Sequence, residues 1–194
     1  SLGEDQWGQM LNLLAAHPRL NAIAWPALEL LLKGLKAETG GVPDSCTELG
    51  ESILDKLYEE SSLAPSGQEQ QDLQQRDWLT AAINHVGGKV VEVWLHLLSK
   101  RRAQAGEKWK GIPEVFHTRF DKVLSGDSLT AQMGRVMLAS KTHFLFALDS
   151  DWTEQRIFPL LNWSIDEKQA QQAWHGYLTW GRPYDAMLPK LMAL

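Results

Sequence analysis

One cysteine, Cys46, in a chain of 194 residues excludes an intramolecular disulfide and any CxxC metal or redox motif. No apolar run approaches the roughly 20 residues that a membrane-spanning helix needs. The start at Glu4 and Asp5 is too acidic for a secretory signal. These absences point to a cytoplasmic protein with no membrane partner. Convincing strand pairs are missing, and so are GxSxG and HExxH. The one glycine-lysine step that invites comparison with a phosphate loop is Gly88-Lys89. It fails at both ends of the pattern, because Ile83 stands where the first glycine belongs and Val90 where the Ser or Thr belongs.

The chain is rich in tryptophan, with nine, and in apolar residues at helical spacing. Leu79, Ile83, Val86, Val90, Val93, Trp94 and Leu97 recur at steps of three and four, so the stretch from Trp78 to Arg102 reads as one long helix with a single buried stripe. Gly87-Gly88 inside it costs about 1 kcal/mol per glycine relative to alanine. The pair therefore marks either a bend or the close approach of another helix. Trp7, Trp25, Trp78, Trp94, Trp152 and Trp174 fall where helices bury large rings.

Similar patterns place helices over 5–16, from about Trp25 to 36, from about 45 to 60, from Pro113 to 124, and over 129–137. Ser45 with Glu48, Asp151 with Glu154 and Asp166 with Gln169 have the spacing of capping boxes. The expected fold is all-α, an irregular array or bundle of about eight to ten antiparallel helices. A solenoid is the alternative, although Pro26, Pro113, Pro159 and Pro189 recur at no fixed period. One domain spans 1–194. The polar stretch 61–75 reads as a linker or mobile loop. A start at Ser1, with helical patterns reaching both ends, suggests a segment of a larger protein.

Charge is unevenly distributed. Residues 1–74 carry 4 Lys/Arg against 12 Asp/Glu, whereas 75–141 carry 11 against 6. Lys100, Arg101, Arg102, Lys108, Trp109 and Lys110 form a basic cluster around an aromatic ring, the composition that phosphate-backbone binding and base stacking require. The competing role is charge complementarity with a helix C-terminus. His85, Glu92 and His96 fall at i, i+7 and i+11, which puts the latter two about 20° to either side of His85 on an ideal helix, and they are the candidate metal ligands. His117 with Asp121, and His143 ahead of Asp149 and Asp151, are the parts from which a hydrolytic dyad would be assembled. No cofactor motif is present.

The stretch AWHGYLTWGRPYDAMLPKLM (173–192), with RIFPLLNW (156–163) before it and the basic helix 84–102, resembles the helical domain of unknown function found C-terminal to sirtuin-like domains in some bacterial proteins. The resemblance implies a large parent of the anti-phage defence type whose sirtuin-like part consumes NAD. No Gly-rich dinucleotide loop or catalytic histidine motif of a sirtuin matches this chain, so the resemblance carries no functional residue with it. The leading expectation is a non-catalytic module for protein interaction or sensing, its partner another protein or another domain of the same parent. A nucleic-acid-binding module using Lys100 to Lys110 is the second expectation, and a small metal-dependent or hydrolytic enzyme the third.

Overall fold

Short polar side chains decide where many of the helices begin. Asp77 accepts from the backbone N–H groups of Leu79 and Thr80, both at 3.0 Å, and Asp166 accepts from Gln169 at 2.9 Å. Each supplies an acceptor for first-turn donors that have no partner inside the helix. The computed structural model describes residues 3–37, 41–63 and 77–194. Twelve α-helices lie among them, and no strand. They are α1 (Glu4–Ala15), α2 (Ala24–Lys36), α3 (Asp44–Leu63), α4 (Trp78–Ile83), α5 (Val86–Ala105) and α6 (Glu114–Ser125), followed by α7 (Leu129–Ser140), α8 (Thr142–Leu148), α9 (Ser150–Arg156), α10 (Phe158–Leu161), α11 (Glu167–Trp180) and α12 (Leu188–Leu191). None of these helices is long and apolar enough to cross a membrane.

Three expectations about boundaries change. The stretch from Trp78 to Arg102 is two helices, because His85 adopts an extended backbone and its Nδ1 accepts from Gly87 N at 3.0 Å, capping α5. Ser45 does not cap α3; it lies inside the first turn, and its hydroxyl donates to Glu4 of α1. Asp149 rather than Asp151 caps α9, accepting from Trp152 N at 3.0 Å. Of the expected linker 61–75, residues 61–63 close the last turn of α3, and the rest lies outside the described residues.

Helix α7 is the centre of the bundle. Ten of its twelve residues are buried, and α3, α4, α5, α6, α10 and α11 all pack on it. Gathering six elements from both sides in sequence around one helix is bundle topology, not the neighbour-on-neighbour stacking of a solenoid. Glycines allow close approach at three of these crossings, against backbone at two and a side chain at the third. A Cβ on Gly87 would stand 2.2 Å from Thr130 O, one on Gly176 2.6 Å from Val136 O, and one on Gly134 of α7 itself 2.8 Å from Val123 Cγ1. The glycine pair of α5 thus serves close approach.

The main core surrounds Trp94, Phe116 and Phe120. A second, smaller core joins Phe146 of α8, Phe158 and Leu161 of α10, Ala173 and Tyr177 of α11, and Met187 and Leu191 near the C-terminus. Trp7 and Trp94 are buried as expected, whereas Trp25 points outward at the start of α2, 41% exposed. Because the Gly87 contact is with backbone that cannot swing aside, Gly87→Ala should overpack the α5/α7 crossing and lower stability by about 1–3 kcal/mol, read from the urea midpoint.

Candidate functional site

Glu51, Asp55 and Glu59 stand one turn apart on α3 and so share a face. Opposite them are Arg101 near the end of α5 and Arg119 and Lys122 of α6. Arg119 donates through Nε and Nη2 to the two oxygens of Asp55, at 2.8 and 3.0 Å, and through Nη1 to Glu51 Oε2 at 2.8 Å. Arg101 reaches the other Glu51 oxygen at 2.5 Å, and Lys122 pairs with Glu59 at the rim. Glu51 and Arg119 are 4% and 5% exposed, so both charges have left water and depend on each other. Below the ladder, the Arg119 guanidinium lies 5.7 Å from the Trp94 ring centroid and 5.3 Å from that of Phe116. Burial works against the Arg119 charge, but the hydrogen bonds and charges of Asp55 and Glu51 outweigh it and hold its pKa above the ordinary value.

This ladder absorbs part of the basic cluster. Arg102 donates to Gly106 O at 2.7 Å, and its guanidinium covers the Trp109 ring at 5.7 Å. Trp109 is also fixed at its edge, donating through Nε1 to Leu148 O at 3.1 Å. A base has no open ring face at Arg102's position to stack on. Lys100, Lys108 and Lys110 point outward. The six residues predicted as one surface therefore divide into an inward group, Arg101, Arg102 and Trp109, and three exposed lysines.

The helix break gives one of the metal candidates a capping role. His85 is spent as a cap, and Glu92 accepts from Lys89 Nζ at 2.9 Å. Among the described residues no group of three His, Cys, Asp or Glu side chains is arranged to hold a metal ion. Glu92 and His96 instead line a cleft of about 330 Å³ with Ser99, Met137, Lys141, His143 and Phe144. The hydrolytic parts are dispersed as well. His117 stacks on Trp152 with rings 5.5 Å apart and 7° from parallel, and Asp121 pairs with Arg156. His143 Nδ1 accepts from Arg182 N at 3.3 Å.

Exposed apolar side chains are unevenly distributed along the chain. Among the described residues eleven large apolar side chains are exposed, and seven of them fall between residues 163 and 192: Trp163, Ile165, Leu178, Trp180, Tyr184, Leu188 and Met192. Scattered exposed apolar residues are ordinary, whereas such a concentration within thirty residues raises the question of what covers them. Sequence reasoning missed this because Leu178, Leu188 and Met192 sit at helical spacing that reads as core. It also missed the ladder, although the i, i+4, i+8 carboxylates of α3 were the available signal.

No protein-family model, no curated protein and no solved structure matches this chain.

Arg119→Ala should destabilise the protein by about 3–5 kcal/mol, since it strips the buried Glu51 of one of its two cations. Lys122→Ala, at the solvent-exposed rung, should cost under about 1 kcal/mol. Urea denaturation of the two variants measures the difference.

Proposed function

We propose that this chain is a non-catalytic helical interaction module that meets another protein through the apolar surface of residues 163–192. The concentration of exposed Trp163, Ile165, Leu178, Trp180, Tyr184, Leu188 and Met192 carries the reading. Exposed tryptophan and tyrosine supply large contact area with little side-chain entropy to lose, and methionine adapts to an irregular partner surface. The partner is therefore a protein with a complementary apolar patch rather than a polyanion. The fate of the polar candidates supports the non-catalytic part: His85 and Asp149 cap helices, and Asp121 and Glu92 are held in ion pairs.

The resemblance of 156–163 and 173–192 to helical regions downstream of sirtuin-like domains favours the same reading. On it, the chain is the C-terminal part of a larger bacterial sirtuin-like defence protein, and the partner is another domain of that parent or a protein it senses.

Oxidative footprinting compares the purified chain with the same chain in its native assembly. Trp163, Trp180, Tyr184 and Met192 should be modified several-fold more slowly in the assembly, and the double variant L178D/M192D should lose that protection. Equal modification in both states would refute the proposed surface.

A further inference from the structure

After α11 the chain turns at Gly181 and runs as a strap over residues 181–194, placing Met187 and Leu191 in the smaller core. At its root, both peptide groups of Arg182 are held by side chains. Its N–H donates to His143 Nδ1 at 3.3 Å, and its carbonyl accepts from the Tyr177 hydroxyl at 3.4 Å. Further along, Tyr184 packs edge-on against Phe146 at 5.9 Å, and Lys190 pairs with Glu154 while lying over the Phe146 ring. The strap is thus fastened by a few contacts, and one of them requires a lone pair on an imidazole.

We propose that His143 is a proton-operated latch: as a neutral ring it holds the strap at Arg182, and as an imidazolium it lets the strap lift from the smaller core. The hydrogen bond fixes the tautomer. Nδ1 accepts, so the ring proton of the neutral form is on Nε2. A second proton can enter only at Nδ1, where it turns the acceptor into a donor facing the Arg182 N–H. It also creates a third cation beside Lys141, which precedes His143 by two residues, and the Arg182 side chain. Other elements contribute too. Helix α5 brings Glu92 and His96 to the cleft that His143 lines, and Glu92 is held by Lys89. Helix α11 presents Tyr177 and Trp180, the latter under the Lys141 ammonium at 4.9 Å.

Burial, then the charges of Lys141 and Arg182, lower the His143 pKa from its ordinary value. The strap supplies Arg182 and part of the burial, so the closed strap binds the neutral ring more tightly than the imidazolium, whereas Lys141 lowers the pKa whether the strap is closed or lifted. The latch's contribution is complete above about pH 6.5 and is lost as pH falls through the lowered value. Release would carry Tyr184, Leu188 and Met192 away with the strap and uncover Phe146, Phe158 and Tyr177. The inference does not rest on the interaction reading, although release would displace three of the residues that reading uses, Tyr184, Leu188 and Met192.

The methionines make the test internal. Met187 under the strap is 0% exposed and Met192 at its end 88%, while Met133 and Met137 are 0% exposed in the main core. Peroxide oxidises a thioether without drawing on an ionised group, so site-by-site initial rates from mass spectrometry report exposure. At about pH 7.5, Met187 should oxidise at least about tenfold more slowly than Met192. At about pH 5 that ratio should fall at least about threefold, with Met133 and Met137 still protected. His143→Gln offers Arg182 an uncharged acceptor and should keep Met187 protected at the lower pH. Lys141→Met removes a neighbouring cation and should move the release midpoint to higher pH. A ratio constant with pH, a fall of equal size in H143Q, simultaneous loss of protection at Met133 and Met137, or an unchanged or lower midpoint in K141M would each overturn the proposal.

Discussion

The bundle depends on how closely three helices approach α7. Gly87 of α5 meets the Thr130 carbonyl, Gly176 of α11 meets the Val136 carbonyl, and Gly134 on α7 receives Val123 of α6. A side chain at any of these positions would push a helix outward against a close-packed interior. The consequence reaches beyond the crossings themselves. With α5 drawn onto α7, Trp94 comes to lie beneath the ladder of α3 carboxylates. With α11 drawn onto α7, Tyr177 is set where it meets the C-terminal strap.

Helical class was legible throughout, because the three-and-four spacing of Leu, Val and Trp is a local property of the chain. So was the cap at Asp166, whose carboxylate reaches a backbone donor three residues away. What could not be read was which helix the others surround. Helix α7 is buried on almost every side, so LTAQMGRVMLAS shows little contrast between faces and looks less informative than its neighbours. The glycine pair offered a bend as one alternative, but the exact break at His85 escaped for a related reason. The apolar stripe continues in register across α4 and α5, and only the imidazole acting as a cap reveals the interruption.

The candidate site was legible in its ingredients and not in its partnerships. Lys100 to Lys110 gathers positive charge within a short stretch, which is visible from composition. The carboxylate that receives Arg101, Glu51, stands 50 positions earlier, and a single sequence contains no measure of that separation in space. His143 shows the same limit. Read along the chain, its nearest candidates were Asp149 and Asp151, whereas its bonded neighbour is a backbone N–H 39 residues later. Ion pairs and hydrogen bonds between distant segments follow from the fold, and they decide whether a polar side chain is a tool or a fastening.

The carboxylate ladder also changes what the lopsided charge of the chain means. The acidic N-terminal part and the basic central part are each other's counter-ions, joined where Glu51 and Asp55 enclose the fork of Arg119. Arg119 addresses two different carboxylates at once, which fixes the axial register between α3 and α6 more tightly than apolar contact alone. Neither part closes the ladder by itself, because Glu51 and Arg119 leave water as a pair, one from each part. In energetic terms the two behave like the subunits of an obligate heterodimer, for which the covalent connection supplies effective concentration and the ladder supplies recognition.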